Sequence, residues 1–472
     1  MKRIFVLSVF IAFAAVHVKA ADDGWISLFD GKTLDGWKAS DDPKSFRVED
    51  GMVLCDGSRS HLYYTGSVQN ARFKNFEIQA DVMTKPGANS GIYFHTRYQE
   101  TGWPEKGFEV QVNNTFVGNP KSPERKKTGS LYAVRNLYKS TVKDDAWFTM
   151  RIRVQGKTIR VWVNDRLVVD YVEPDPPLAQ PARSLSSGTF ALQCHDPKSK
   201  VCFRNIRVMP LPDDLQTIGK PVEDAALDKM LTELARTNFP MVDFHVHLKE
   251  KFNLEAALAK SRKYGIAYGL AVNCGVGFPI ANEKKLEAYA DTVNVPETYL
   301  AMQAEGREWV RLFSKKTMSR FDYVFTDALT WTNDKGKRMR LWINEEVEVG
   351  EPEEFMNMYV YRILKILNEE PIDLFVNPTF LPEAIRKDYD ALWTAERMDR
   401  VIDALAKKHI VLEINDRYRI PSGAFIKRAK AKGVKFAFGT NNRDEHFGNL
   451  EYCWQMMKEC QLTAEDMYMP VK

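Results

Sequence analysis

Hydrophobic and polar residues alternate one by one along much of the first half of the chain. Segments with this period of two lie at residues 76–82, 147–154, 158–163 and 201–208. Turn dipeptides such as Asp50-Gly51 and Gln155-Gly156 separate the segments, and helical periodicity is almost absent there. Many short alternating strands with polar turns predict an antiparallel, all-β sandwich over residues 21–210.

The pattern changes after a connector, residues 211–239, which starts Pro-rich and continues as an amphipathic helix over residues 222–236. Seven short apolar runs then read as strands, at residues 241–245, 266–272, 299–304, 323–326, 372–376, 410–414 and 434–438. Helical periods lie between several of them, at residues 254–264, 353–367, 395–407, 424–432 and 450–459. This alternation predicts a parallel α/β barrel of the (β/α)7 kind over residues 240–472, with its functional groups where the strands end.

The first 20 residues have the pattern of a secretory signal peptide. Lys2 and Arg3 precede an uncharged apolar run, and the small residue Ala20 precedes the expected cleavage point. The alternative is a membrane anchor, but the run is shorter than the ~20 residues that a transmembrane helix needs. We therefore expect a secreted protein, in a bacterial periplasm, without membrane insertion.

Composition narrows the classes of partner. The 472 residues contain 67 Lys and Arg against 63 Asp and Glu, a net charge of +4, which gives no electrostatic reason to expect binding to nucleic acid. Six cysteines are few for an exported chain of this length, so we expect buried thiols and no disulfide framework. The sequence leaves the oligomeric state open.

Polar side chains occupy one face of strands that a sandwich would normally fill with apolar residues. They are Tyr93, His95 and Arg97 on one strand, Glu109, Gln111 and Asn113 on the next, and Tyr132, Gln193 and His195 on two further segments. A face of this composition suits a polyhydroxylated ligand, and Trp103 offers an apolar platform for a sugar ring. The alternative is a solvated outer face, which would alternate in the same way.

Five blocks in the first half resemble, in order, those of the 3-keto-disaccharide hydrolase family. They are WISLFDGKTLDGW at residues 25–37, NSGIYF at 89–94, GFEVQ at 107–111, TGSLY at 128–132 and FRNI at 203–206. The resemblance covers about residues 24–209. It implies a concanavalin A-like sandwich and action on a small carbohydrate substrate, a 3-keto-glycoside.

The residue types fit the chemistry that this resemblance implies. A ketone at C3 acidifies the C2 hydrogen, so a base can remove it, the C1 substituent can leave, and water can then add. The candidates for proton transfer are Glu109, His95 and His195. The candidates for substrate binding are Asn89, Tyr93, Arg97, Gln111, Tyr132 and Gln193. Glu109 as a binding or metal-ligating carboxylate, and His195 as a structural residue, remain open alternatives, as does direct hydrolysis.

The second half carries a pair of histidines where the first barrel strand ends. His245 and His247 lie two apart, so they face one side, and Glu305 ends the third strand. The order of these groups resembles the polymerase-and-histidinol-phosphatase (PHP) superfamily of metal-dependent phosphoesterases over about residues 240–465. The cofactor is left open by the sequence, and a single divalent metal ion held by His245, His247 and Glu305 is one candidate.

The chain departs from the PHP pattern at several ligand positions. Leu329 lies where the family usually has His, Asn377 replaces another His, and Asn441-Asn442-Arg443 replaces the closing Asp-x-His, with His446 further on. A trinuclear cluster needs about nine donors, and most of the His and Asp set is absent from this sequence. We therefore expect a degenerate, PHP-like barrel.

Three hypotheses follow for the whole chain. The first is an exported two-domain carbohydrate enzyme, a hydrolase or lyase whose sandwich acts on 3-keto-glycosides and whose barrel is accessory. The second is a sugar-binding sandwich attached to a metal-dependent hydrolase barrel. The third is a scaffold in which neither half is catalytic.

Overall fold

The computed structural model describes residues 24–178, 183–333, 336–443 and 450–470. The predicted signal peptide, residues 1–20, and His446 lie outside the described residues. Buried apolar side chains form two large clusters, one within residues 28–208 and one within residues 231–467 together with Tyr138. The limits drawn for the two domains stay a prediction.

The first half is a sandwich of two antiparallel sheets, as predicted. One sheet has, in spatial order, Arg166–Val172, Thr158–Val163, Phe148–Gln155, Asn75–Thr84, Lys200–Leu211, Met52–Asp56 and Phe46–Glu49, with Ile26–Ser27 paired to Lys200–Leu211. The other has Trp37–Ala39, Ser60–Tyr64, Thr189–Cys194, Asn89–Thr96 and Phe108–Asn113. A small hairpin joins Gly118–Asn119 to Ser122–Pro123. The concanavalin A-like architecture stays a prediction.

The two sheets differ in how their outer faces are covered. Along Phe148–Gln155 in the larger sheet, buried and half-exposed side chains alternate, because one face packs on the core and the other meets solvent. Every residue of Asn89–Thr96 and of Phe108–Asn113 in the smaller sheet is buried. The polar residues of that sheet therefore do not lie on a solvated face, and the alternative of a simple outer surface is wrong.

Seven parallel strands close into a barrel in the second half, as predicted. They are Val242–Val246, Ala267–Cys274, Tyr299–Ala304, Tyr323–Thr326, Leu374–Phe375, Val411–Asn415 and Phe436–Gly439. The last strand pairs with the first through Phe438 and Asp243, which completes the ring. A hairpin, Thr330–Thr332 with Arg338–Arg340, lies beyond the fourth strand. The assignment of this barrel to the PHP type stays a prediction.

Helices surround the barrel and connect its strands. The α-helices are Ala225–Arg236, Leu254–Tyr264, Glu283–Val293, Lys315–Met318, Pro352–Glu369, Glu383–Arg386, Tyr389–Leu392, Ala395–Lys408, Gly423–Ala431 and Glu451–Glu459. The 3-10 turns are Pro43–Ser45 and Val68–Ala71 in the sandwich, and Glu308–Arg311 and Asn344–Glu346 in the second half. Asn253 caps the helix Leu254–Tyr264 by accepting a hydrogen bond from Ala256 N, and Gly265 ends it at φ 71°. The helix Glu283–Val293 was not predicted from the sequence. Within the described residues, no helix combines the length and the apolar character needed to cross a bilayer.

The two halves are joined by a polar interface around one buried ion pair. Arg135 of the sandwich and Asp228 of the connector helix are both 1% exposed and paired. The Arg135 Nε also donates to the Lys263 carbonyl at 2.7 Å, and Asn136 Nδ2 donates to the Ala235 carbonyl at 2.9 Å. All six cysteines are buried free thiols, as expected.

Candidate active site

A cleft of about 410 Å³ lies on the smaller sheet, on the face turned away from the sandwich core. Strand register explains why polar groups gather there, because Tyr93 pairs with Glu109 and Gly91 pairs with Gln111 on adjacent strands. The lining residues are Asn89, Tyr93, Trp103, Pro104, Glu109, Gln111, Phe116, Glu124, Tyr132, Arg183, Gln193 and His195. The structure thus brings together most of the residues predicted from the sequence.

Glu109 lines the cleft and is 6% exposed. Its Oε2 accepts a hydrogen bond from the Tyr93 hydroxyl at 2.7 Å, and its Oε1 accepts one from Gln193 Nε2 at 3.2 Å. Burial raises the pKa of Glu109 to about 7, although the hydrogen bond from Tyr93 and the charge of Arg183 oppose that shift. A carboxyl group with this pKa is able to take up and release a proton near neutral pH.

Gly91 supplies the space that the Glu109 side chain occupies. A Cβ atom at Gly91 would lie 2.5 Å from Glu109 Oε1 and 2.8 Å from its Cγ. Gly91 and Glu109 are on neighbouring strands, so the missing side chain of one makes room for the carboxylate of the other.

His195 stands at the rim of the cleft, oriented by the next residue in the chain. Its Nδ1 lies 2.7 Å from Asp196 Oδ2, and Asp196 also accepts hydrogen bonds from Ser199 Oγ and Lys198 N. Burial raises the pKa of Asp196, but the hydrogen bonds from His195 and Lys198 outweigh it and leave the pKa lowered. An ionised Asp196 accepts a hydrogen bond from His195 Nδ1, so that Nε2 is the ring nitrogen left to exchange a proton with a substrate.

Two predicted residues do not reach the cleft, which corrects their assignment. His95 has φ 55°, which ends the strand alternation, and its Nε2 donates to the Lys74 carbonyl at 2.9 Å while Nδ1 accepts from Ser186 N. Burial lowers the pKa of His95 to about 4, so it is a neutral structural residue. Arg97 follows the strand end and is an exposed side chain 3.8 Å from the Glu105 carboxylate.

Four residues that line the cleft were not found from the sequence, Pro104, Phe116, Glu124 and Arg183, and neither was His61, which packs against the lining. Glu124 and Arg183 line the cleft from loops, where no periodic pattern marks them. His61 pairs with Gln193 in the sheet and is 0% exposed, and neither of its ring nitrogens has a hydrogen-bond partner among the described residues. Its ring packs edge-on against Tyr93 and Trp103. Its signal was present, since His61 and Tyr63 alternate within a short strand.

A second, smaller cavity of about 250 Å³ opens at the carboxyl ends of the barrel strands, with His247, Glu305 and Asp327 in its wall. Burial, and the neighbouring Asp327, raise the pKa of Glu305 to about 8. Glu305 accepts hydrogen bonds from Asn273 Nδ2 at 2.8 Å and from Gln303 Nε2 at 3.0 Å. Side-chain amides thus surround this carboxyl group.

The residues of the barrel mouth do not fit the predicted divalent ion. His245 Nδ1 lies 2.6 Å from Glu413 Oε1 and its Nε2 lies 3.1 Å from Gln303 Oε1, so both ring nitrogens are engaged. His247 Nδ1 lies 3.1 Å from the Ala271 carbonyl. No group of three or more His, Cys, Asp or Glu placed to hold an ion occurs in the described part of the chain. The prediction that His245, His247 and Glu305 bind a metal ion is therefore corrected. Neighbouring groups, among them side-chain amides, already form hydrogen bonds with these three side chains.

Comparison with known proteins bears on the sandwich. Residues 24–209 match the family model described as a 3-keto-alpha-glucoside-1,2-lyase-like domain. A curated 3-keto-disaccharide hydrolase from Bacteroides thetaiotaomicron is 34% identical over 172 residues, which is 32% of this chain and 59% of that protein. The chain therefore spans about three fifths of the length of this relative.

Solved structures are similar to separate parts of the chain. A putative glycosyl hydrolase from Parabacteroides distasonis is 23% identical, with a TM-score of 0.34, over 40% of this chain and 94% of that chain. Histidinol phosphate phosphatase from Lactococcus lactis is 12% identical, with a TM-score of 0.33, over 49% of this chain and 100% of that chain. Neither likeness bears on activity. The family match is confined to the sandwich, where residues 24–209 are similar to the 3-keto-alpha-glucoside-1,2-lyase-like domain.

Proposed function

We propose that the sandwich cleaves 3-keto-glycosides in the cleft around Glu109. The observation that carries the proposal is the buried Glu109 carboxyl, held by Tyr93 and Gln193, in a cleft that also contains His195. The family match of residues 24–209 supports a carbohydrate hydrolase or lyase.

The proposed reaction begins with proton removal. The Glu109 carboxylate takes the C2 hydrogen, and the electron pair passes to the C3 carbonyl as an enolate. The enolate then expels the C1 oxygen, forming a C1–C2 double bond, and a protonated His195 donates its proton to the leaving oxygen. Arg183 provides a cation at the cleft for the enolate charge. Addition of water, with its oxygen on C1 and a proton on C2, completes net hydrolysis.

Unused hydrogen-bond acceptors support a polyhydroxylated substrate. The buried Oε1 atoms of Gln111 and Gln193 have no partner among the described residues. A buried acceptor left in this state is costly, so a hydroxyl group that donates to it is favoured. Gln111 Nε2 already donates to Asn89 Oδ1 at 2.7 Å, which fixes the orientation of the Gln111 amide.

Turnover by the purified full chain tests the proposal. We expect methyl 3-keto-α-D-glucopyranoside to yield methanol with either 2-hydroxy-3-keto-glucal or free 3-keto-glucose, detected by mass spectrometry. Glu109→Gln should abolish the reaction, whereas His247→Ala in the barrel should not. The opposite ranking would favour the second hypothesis, in which the chemistry belongs to the barrel. If the folded wild-type protein forms no product, both hypotheses are contradicted.

Export is a further part of the proposal. It is supported by the charged and apolar pattern of residues 1–20. Amino-terminal sequencing of the protein from a bacterial periplasmic extract should find Ala21 first.

A further inference from the structure

The connector between the two halves holds a loop of the sandwich through one asparagine side chain. Asn238 Oδ1 accepts hydrogen bonds from Arg125 N at 3.1 Å and from Lys126 Nζ at 3.2 Å, and its Nδ2 donates to the Pro123 carbonyl. Asn238 has φ 61°, a conformation that asparagine adopts more readily than most residues. One connector residue therefore contacts three of the four residues in the segment 123–126.

Lys126 connects Asn238 to the wall of the cleft. Its side chain is 3% exposed, and its Nζ lies 3.2 Å from Glu124 Oε1 and 4.7 Å from the centre of the Tyr132 ring. A buried ammonium group is stable only when its hydrogen bonds are satisfied, and Asn238 provides one of them. The position of the ammonium group therefore depends on the connector.

The two residues that Lys126 contacts both line the cleft. Tyr132 and Glu124 are in its wall, and the Tyr132 hydroxyl lies 3.4 Å from Glu124 Oε2. Asn238 and Lys126 themselves do not line the cleft. A displacement of the Lys126 ammonium group would thus move this wall without removing any group that touches a substrate.

We propose that Asn238 and Lys126 are positioning residues of the sandwich cleft, so that the connector completes the site. The proposal rests on the function proposed for that cleft. The buried pair of Arg135 and Asp228 fixes a later part of the sandwich against the connector helix.

Kinetics of full-chain variants on methyl 3-keto-α-D-glucopyranoside test the proposal. Asn238→Ala should lower kcat/KM by roughly tenfold, mainly through KM, because a wall displaced by a fraction of an ångström binds the sugar poorly. Lys126→Met should have a similar effect. Since both act through one ammonium group, the double variant should be no worse than either single variant.

Asp322→Asn is the matched control. It weakens the Lys139–Asp322 ion pair, 2.9 Å long, which crosses the same interface without contacting Lys126. Its KM should equal that of the wild type. A wild-type kcat/KM for Asn238→Ala, or an equal loss in Asp322→Asn, would overturn the proposal.

A crystal structure of Asn238→Ala separates this proposal from the proposed function. We expect the Glu124 carboxylate and the Tyr132 ring to leave their wild-type positions, whatever the substrate is. If wild-type protein does not turn over the sugar, the proposed function fails on its own. If Glu124 and Tyr132 stay in place in the variant, the positioning role fails on its own.

Discussion

The Tyr93 hydroxyl donates a 2.7 Å hydrogen bond to Glu109 Oε2, so a carboxylate buried in the cleft is held by a neutral donor. A hydrogen bond from a neutral group stabilises the ionised form less than an adjacent cation would. Burial therefore prevails and raises the pKa of Glu109 to about 7. This relationship makes Glu109 a base that is available near neutral pH, and it leads to the first two predictions.

The rate of the sandwich reaction should depend on the ionisation of Glu109. We expect the acidic limb of the kcat/KM profile to rise as pH passes through about 7, because only the Glu109 carboxylate removes a proton. Tyr93→Phe deletes a hydrogen bond that lowers the pKa of Glu109, so the rise should move to higher pH. Tyr361→Phe, at an exposed tyrosine of the barrel, is the control and should leave the profile unchanged. A Tyr93→Phe profile shifted to lower pH would contradict the assignment.

The raised pKa of Glu109 should also make the free energy of unfolding depend on pH. The pKa of Glu109 is about 7 in the fold against an ordinary value of 4.5, so the folded state binds more protons between these pH values. The free energy of unfolding should therefore fall as pH rises through this window. Glu109→Gln removes this ionisation. The free energy of unfolding of the variant, relative to that of the wild type, should therefore rise by roughly 1–3 kcal/mol between pH 4 and pH 8.

Urea unfolding at both pH values measures this difference. Glu100→Gln changes an exposed carboxyl and controls for net charge. If the free energy of unfolding changes equally in the two variants, burial does not raise the pKa of Glu109.

Gly91→Ala should disable the cleft without touching a polar group. The added methyl would lie 2.5 Å from Glu109 Oε1, so the carboxyl must move. A displacement of about 1 Å is expected to lower kcat by roughly 10²-fold. Steady-state kinetics together with a cooperative thermal transition would establish the effect. Normal kcat in a folded variant would place the reacting carboxyl elsewhere.

His61→Leu should stabilise the fold. Both ring nitrogens of His61 are buried without a hydrogen-bond partner among the described residues, and burial lowers its pKa to about 4. Replacing an unsatisfied polar group by an apolar one of similar size is expected to raise the free energy of unfolding by about 1 kcal/mol. Denaturant titration measures the change. A clear destabilisation would indicate that a ligand or water normally satisfies the imidazole.

The barrel should be insensitive to chelation. The ring nitrogens of His245 are engaged by Glu413 and Gln303, which leaves them unavailable to an ion. We expect purified protein to contain less than about 0.1 equivalent of zinc, manganese or iron, and its melting temperature to be unchanged by EDTA. Stoichiometric metal in inductively coupled plasma mass spectrometry would contradict this, and loss of that metal in His245→Ala would locate it.

Strand periodicity accounts for how much of the cleft the sequence could predict. Tyr93, Glu109, Gln111 and Gln193 lie at alternate positions of regular strands, where the side-chain direction follows from the period of two. His95 fails because its φ of 55° breaks that period at the strand end. Glu124 and Arg183 come from loops, whose side-chain directions are set by tertiary contacts.

The barrel shows the same limit from the other side. The seven strands and the pair His245 and His247 were predicted from local pattern, and the strands were confirmed. Whether an imidazole nitrogen is free depends on its partner, and Glu413 is 168 positions from His245 in the chain. Sequence spacing carries no information about such a contact.

By itself, the sequence determined the alternation that builds two sheets, the strand and helix periods of the barrel, and a polar face with Glu109 on it. Only the tertiary structure decided which of those polar groups share a cleft, how deeply Glu109 is buried, and which donors of the barrel are already engaged. The physical reason is the separation along the chain between the residues that determine each property. Side-chain direction within a strand is fixed by neighbours along the backbone, whereas burial, pKa and hydrogen-bond partners depend on segments brought together by folding.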